Sequence, residues 1–457
     1  MKFKTTLILF AAFIVLLAFI LLFEFKGNGE KDEEAKLVSL SSDDITKIIF
    51  KKPEETLTFE KNEEGEWHIK EPLEAKADKY EVDRLADDFS DLRIERVVEE
   101  MPEELKKYEI PQKEISLYFK DKEKPIKILI GMENPLDNTF FAKRDDEEKV
   151  VLISGQLKSL MEKKLFDFRK KDIFKFETDD VKNIKLRAKK IQWEAQKKEE
   201  EWFFKKPAGA LVKSSQINDI LSSLSNLKAK NFVSEDKTQE EIKKYRLDTS
   251  EYQITLSIPL ENQEVIFSLQ KEEDKVYATS SLSSKIVQTE DSVLSDLEKE
   301  TEELREKKVS DFYSWEAKKI RLKKGGIDIT VAKGEEDKWF FENPLKEEAD
   351  KNKIETFIRK IESLEADELF DPPLDLKDHG LDEPQAEIKI WTEEDEGKTK
   401  EITVYIGSED EEAKKVVVKN ARFDYLFQVD SAFLEEFPKE LKDWKLQEKK
   451  EKERETS

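Results

Sequence analysis

The chain has 457 residues, enough for about three domains at ~150 residues each, and no cysteine, which removes disulfides, thiolate metal sites and a cysteine nucleophile from consideration. Its formal charge of −24, from 106 acidic and 82 basic side chains, argues against a nucleic-acid partner, whose phosphates need clustered basic residues, and against lying flat on an anionic bilayer. Charged residues make up 41% of the chain, yet 37% hydrophobic residues and 29 Phe still allow real cores.

Residues 1–4 include Lys2 and Lys4. They precede Thr5 to Phe23, a run of 19 residues without a charge. At ~1.5 Å per residue that run spans roughly 28 Å, close to the hydrocarbon thickness of a bilayer. No Ala-x-Ala pattern follows it, so the reading is an uncleaved single-pass anchor at 5–23 rather than a signal peptide. The two lysines leave residues 1–4 in the cytoplasm and export everything after Phe23. Residues 24–43 are polar and read as a tether.

Three stretches then share one pattern. Trp67, Trp202 and Trp339 each stand five residues before a proline, Pro72, Pro207 and Pro344. Each proline leads to apolar residues spaced three, four and three apart: Val82, Leu85, Phe89 and Leu92; Ile217, Ile220, Leu224 and Leu227; Ile354, Phe357, Ile361 and Leu364. Recurrence at a domain-sized period indicates copies of one unit. We delimit repeat 1 at 44–178, repeat 2 at 179–314, repeat 3 at 315–446, and a charged tail at 447–457.

Within each repeat, short alternating segments such as Ile45 to Phe50, Thr56 to Glu60 and Glu66 to Lys70 predict an antiparallel meander that the proline ends. The apolar stripe predicts an amphipathic helix, with Asp78 and Asp350 as N-caps in two copies. Val98, Val233 and Phe370 mark an apolar patch beyond the helix. Further strands follow (Ile115 to Phe119 and Ile126 to Ile130 in repeat 1), with Gly131 and Gly407 expected to stop two of them. A closing helix is expected near Leu165 to Lys170, Leu304 to Lys308 and Leu441 to Lys445, with a basic residue at Arg169, Arg305 and Lys442 at near-constant distance from each Trp. The predicted fold class is α+β: a transmembrane helix and three tandem repeats, each a small meander, an amphipathic helix, more antiparallel strands and a closing helix.

Chemistry is hard to find. His68 stands where Phe203 and Phe340 stand, and His379 replaces Tyr108 and Tyr245, so both read as structural substitutes for aromatics. They lie in different repeats and suggest no zinc pair. Glu393 to Glu396 and Glu409 to Glu412 lack the spacing of a calcium loop. There is no Gly-x-Ser-x-Gly elbow and no phosphate-cradling Gly-rich loop. The three tryptophans share a face with Ile69, Phe204 and Phe341 and are assigned to cores. No catalytic, cofactor-binding or metal-binding residue is nominated, and no cofactor is expected.

The Trp-x-apolar-x-x-Pro strand end, the amphipathic helix, the turn His379-Gly380-Leu381-Asp382-Glu383-Pro384 and the late Phe168-Arg169-Lys170-Lys171 and Leu304-Arg305-Glu306-Lys307 motifs together resemble the domain-of-unknown-function 4340 family. Repeats 1 and 2 hold Glu109 and Arg246 where repeat 3 has Gly380, which predicts a differently built turn there. The resemblance implies a membrane-anchored, extracytoplasmic companion of an ABC-type export system related to gliding-motility transporters, and carries no catalytic residues.

The expected function is accordingly a non-enzymatic, membrane-tethered accessory or scaffold protein of an ABC-type transporter or envelope complex. Its partners are the membrane, through residues 5–23, and protein subunits, not nucleic acid or nucleotide. The alternatives are an envelope ligand-binding module for a polymer or exported substrate, and a polymer hydrolase.

Overall fold

The computed structural model describes residues 36–207, 209–258, 263–393 and 398–446. The expected anchor at 5–23, the tether up to residue 35 and the tail at 447–457 lie outside the described residues. Among those described, no helix is long and apolar enough to cross a membrane. The chain divides into two compact units, one ending at Lys171 and the other beginning at Asp172.

The first unit is one sheet with one long helix. Its strands are β1 (Ile45–Lys51), β2 (Thr56–Lys61), β3 (Trp67–Glu71), β4 (Ala75–Lys76), β5 (Arg96–Glu99), β6 (Lys113–Phe119), β7 (Ile126–Glu133), β8 (Phe140–Arg144) and β9 (Val150–Ile153), and α1 spans Lys79–Ser90. They are ordered β4-β3-β2-β1-β6-β7-β8-β9-β5. The expected meander and the strands expected after the helix therefore join in one sheet through antiparallel pairing of β1 with β6, with Ile48 opposite Leu117. α1 connects β4 to β5, the opposite edges of the sheet.

Alternation along β1 and β6 turns Ile48, Phe50, Ile115 and Leu117 to one face, where Val82, Leu85 and Phe89 of α1 meet them in a buried core with Trp67 and Ile69. Burying each such side chain contributes about 1.5–3 kcal/mol before entropy. Asp78 caps α1 as expected, accepting from the Glu81 amide at 3.3 Å. Leu37 and Val38, read as tether, belong to this core, and the Leu37 amide bonds the Leu92 carbonyl at 2.7 Å. On the other face the β5–β6 connection lays Tyr108 and Ile110 over Phe141, Val150 and Leu152 as a second, smaller core.

The second unit repeats the design twice. Its first sheet comprises β10 (Asn183–Ala188), β11 (Ile191–Lys198), β12 (Glu201–Lys206), β13 (Leu211–Val212), β14 (Ala229–Ser234), β15 (Tyr252–Ile258), β16 (Gln263–Glu272), β17 (Lys275–Ser280) and β18 (Ile286–Thr289), with α2 at Ser214–Ser225. Its second comprises β19 (Ala317–Lys324), β20 (Ile327–Lys333), β21 (Trp339–Asn343), β22 (Glu368–Phe370), β23 (Ala386–Glu393), β24 (Thr399–Asp410), β25 (Lys415–Asn420) and β26 (Leu426–Asp430), with α3 at Lys351–Glu362. The orders, β13-β12-β11-β10-β15-β16-β17-β18-β14 and β21-β20-β19-β23-β24-β25-β26-β22, match the first sheet apart from one missing short edge strand. A single continuous core runs through both sheets. Repeats 2 and 3 do not each enclose a separate interior.

Three tandem antiparallel sheets with few helices make the protein mostly β, where α+β was expected. The closing helix is two short turns in each of the first two copies, Lys158–Glu162 with Leu165–Phe168 and Ser292–Leu297 with Thr301–Leu304, and 3-10 turns at Ser431–Glu436 and Leu441–Trp444 in the third. Asp78, Lys213 and Asp350 each donate a backbone N–H at 2.8 Å, to the carbonyls of Phe168, Leu304 and Trp444 respectively. The counterpart of Arg169 and Arg305 is thus Lys445, which bridges Ala349 as they bridge Ala77 and Val212. The sequence register that chose Lys442 is three residues off, because the third copy spaces its last turns differently.

Two further expectations change. Glu109, Arg246 and Gly380 all adopt the left-handed conformation, φ 54°, 53° and 63°, so the turn ends in the same backbone conformation in every copy. Gly131 and Gly407 do not stop strands; β7 and β24 run through them. A Cβ there would lie 2.1 Å from the Tyr108 carbonyl oxygen or 2.2 Å from that of His379, so glycine is required by the close approach of that turn.

Candidate functional site

The recurring tryptophans are core residues: Trp67, Trp202 and Trp339 are all buried, and Trp67 Nε1 donates to Asp83 Oδ1 at 2.8 Å. His68 Nε2 lies 3.4 Å from Asn62 Nδ2 at the start of β3. The His379 ring stacks on Phe370 at 5.3 Å, as Tyr108 packs on Phe141 at 4.8 Å and Tyr245 on Tyr277 at 4.7 Å. The structure gives both histidines the aromatic positions assigned from sequence. Of the acidic runs, Glu393 pairs with Lys318 at 2.8 Å, 394–396 lie outside the described residues, and Glu409 to Glu412 end β24 and enter an exposed turn. Among the described residues no group of three or more His, Asp or Glu is placed to hold a metal ion.

One titratable cluster is paired within itself. In the second sheet, Tyr252 donates its hydroxyl to Glu298, which also pairs with Lys189 at 2.7 Å. Burial first, and then the neighbouring carboxylate, push the Tyr252 phenol up to about 12. The Lys189 hydrogen bond, followed by that of Tyr252, holds Glu298 below its usual range. At neutral pH each member keeps its resting charge, so the trio staples β15 to the segment after β18 and is not poised to exchange protons.

Two cavities stand out. One of about 740 Å³ lies beside α1, lined by Ser41, Arg84, Asp87, Asp88, Arg93 and Gln156. Burial pushes the Asp88 carboxyl up, opposed by Arg84 at 3.7 Å. The other, about 490 Å³, lies against β10–β12 and β15 of the second sheet, lined by Lys185, Arg187, Gln192, Glu194, Lys206 and Gln253, with Lys205 holding Glu194 below its usual range. Both sizes suit a small polar ligand.

Ion pairs also cross the seam between sheets 2 and 3. Arg305, 4% exposed at its side chain, donates to both oxygens of Asp371 at 2.8 and 2.5 Å and lies 5.4 Å from the Tyr425 ring centroid. Arg422 pairs with Glu201 and sits 5.9 Å from the Phe203 ring. The edge of sheet 2 carrying β12 and β13 thus meets the edge of sheet 3 carrying β22 and the β25–β26 loop. Sequence reasoning singled out Arg305 by its recurrence, but Asp371, Arg422 and Glu201 belong to one copy each and carry no repeat signal.

The profile of the family described as Domain of unknown function (DUF4340) matches residues 67–249, 202–373 and 339–448, most of the chain. The protein belongs to the DUF4340 family. Each match opens on one of the three tryptophans, and the first two run on through the Trp-Pro strand and helix of the following copy, so these two matches each take in residues of two successive copies. No curated protein matches the chain. Among solved structures, the DNA polymerase sliding clamp from Pseudomonas aeruginosa aligns at 7% identity with ligand and 6% without, with TM-scores of 0.17 in both cases. The alignments cover 86% and 85% of this chain and 93% and 92% of theirs. The DNA polymerase III subunit beta of the same organism aligns at 7% identity over 86% of this chain and 94% of its own, with a TM-score of 0.16. Likeness at that level carries no argument about fold or function.

Proposed function

We propose that this DUF4340 protein is a non-enzymatic, membrane-tethered extracytoplasmic accessory or scaffold protein serving an ABC-type transporter or envelope complex. The observation that carries the reading is what the three copies have in common. Their recurring side chains, the tryptophans and the helix stripes, are buried and build sheets, while the charged and polar surface differs from copy to copy, as expected where recognition resides in protein contacts. The uncharged run 5–23 behind Lys2 and Lys4 supplies the tether. Affinity purification of the tagged full-length protein from membranes tests this. Recovery of a permease or ATPase subunit supports it, and a soluble protein with no transporter subunit attached removes it.

A second reading, an envelope ligand-binding module, is favoured by Tyr313 and Trp315. Their rings stack at 4.2 Å, 15° from parallel, and are 52% and 64% exposed. Such faces accept the C–H faces of sugar rings. Loss of binding to isolated envelope polymer in the Tyr313→Ala, Trp315→Ala double variant is its test; unchanged or absent binding eliminates it.

A further inference from the structure

The seam between sheets 2 and 3 is built from two edges, and because the sheets are copies, the same two edges recur elsewhere on the chain. On sheet 3, Trp339 is in register with Trp202, so Lys338 stands where Glu201 stands and Phe340 where Phe203 stands. The pairing of Phe340 with Glu348 repeats that of Phe203 with Leu211. Lys445 takes the place of Arg305. On sheet 1, Ala142 pairs with Val151 as Val418 pairs with Phe427, which places Asp146 where Arg422 stands. Val97 pairs with Val151 as Leu369 pairs with Phe427, and Glu100 lies just beyond β5 as Asp371 lies just beyond β22.

Two properties of these edges point to the same partner. The seam's ion pair is inverted: glutamate facing arginine, Glu201 with Arg422, becomes lysine on one edge and aspartate on the other, Lys338 and Asp146. The second pair keeps its sense, since Arg305 with Asp371 becomes Lys445 and Glu100. In addition, Phe340 and Val97 are 39% and 40% exposed, whereas their counterparts Phe203 and Leu369 are partly buried against the shared core.

We infer that the β21 edge of sheet 3 docks on the β5 edge of sheet 1 of a second molecule, so that copies associate head to tail by repeating the seam each already contains. Opposite edges that are complementary but not identical make a heterologous contact, the kind that extends from molecule to molecule. The contact is weak and salt-sensitive. Lys338 already has Glu336 and Glu348 at 3.4 and 3.9 Å, Asp146 is held by Arg144, and Phe423 and Tyr425 have no aromatic counterparts in the 145–149 loop. It therefore forms where molecules are crowded, as they are when tethered to a bilayer.

The absence of cysteine permits a direct test with full-length protein reconstituted in vesicles. Glu342→Cys and Glu148→Cys each place one thiol beside one edge, leaving Lys338 and Asp146 intact. Mixed and treated with a bismaleimide, the two variants should give a cross-linked heterodimer severalfold more abundant than the homodimers either gives alone. Adding Lys338→Glu to the first variant should reduce the product severalfold, and adding Asp146→Lys to the second should restore it. Equal cross-linking within each variant alone, no product in the mixture, or a Lys338→Glu loss that Asp146→Lys does not repair would overturn the inference.

Discussion

Arg305 reaches across the seam of the second unit to grip both carboxylate oxygens of Asp371, 66 residues further along the chain. The guanidinium is nearly fully buried and the carboxylate is 58% exposed. Removing the arginine therefore loses two charge-assisted bonds and a ring contact with Tyr425. Removing the aspartate leaves a buried cation that water can partly reach through the vacated site.

Arg305→Ala should lower the stability of the second unit by about 1–3 kcal/mol. Asp371→Ala should cost less, about 1–2 kcal/mol, because solvent replaces part of what the exposed carboxylate gave. Urea titration of both variants checks the ranking. An Asp371→Ala loss exceeding that of Arg305→Ala would contradict the burial argument.

The shared turn predicts stabilising substitutions. A non-glycine residue in the left-handed region costs about 1 kcal/mol relative to glycine. Arg246→Gly should therefore raise stability by up to that amount. Glu109→Gly should gain less, because the Glu109 carboxylate also accepts a hydrogen bond from Gln112. Gly380→Ala should do the reverse, since its Cβ would come within 2.9 Å of the Ser408 amide nitrogen. Thermal melts of the three variants decide it, and a fall in stability for Arg246→Gly would count against the argument.

Gly131→Ala and Gly407→Ala should be more damaging, each forcing the turn away from its strand. In sheet 2 the equivalent position is Gln270, whose side-chain oxygen accepts from the Glu251 amide at 3.0 Å. Gln270→Gly should then destabilise sheet 2 by roughly 1–2 kcal/mol, from the lost hydrogen bond and the added backbone freedom. A neutral Gln270→Gly would show that the amide does not replace the turn contact.

Asp337 supplies a pH signature. Hydrogen bonds from Lys333 and then Lys351 hold its carboxyl down at about 2, against an ordinary 3.8. A folded-state value below the unfolded one means the carboxylate stabilises the fold at pH 4 and above, and that this contribution disappears as pH falls from about 4 towards 2. Asp337→Asn should flatten the fall of Tm over that interval, and the difference should shrink in high salt because the group is solvent-exposed. Identical slopes for the variant and the parent would refute it.

Much of the fold is legible in the sequence, and the division is physical. Helix stripes, the Trp-Pro strand ends and the caps at Asp78 and Asp350 are local patterns in which each residue reports its own burial. The pairing of β1 with β6 is not local: both strands alternate equally well whether the meander and the later strands form one sheet or two. The edge strands β5, β14 and β22 show in the sequence only as the apolar residues Val98, Val233 and Phe370, because short, half-exposed strands such as Arg96–Glu99 have no clear alternation. The seam was illegible for a different reason. Arg422, Glu201 and Asp371 are ordinary members of a chain that is 41% charged, and only their placement distinguishes them.

One continuous interior serves sheets 2 and 3. Phe357, 1% exposed on the buried face of α3, contacts Phe437 and Trp444 within that interior. Amide hydrogen exchange of the Phe357→Asp variant reads the consequence residue by residue. Protection should be lost from β19–β26 and, with it, from β10–β18. Native protection retained throughout β10–β18 while β19–β26 exchange freely would contradict a shared core.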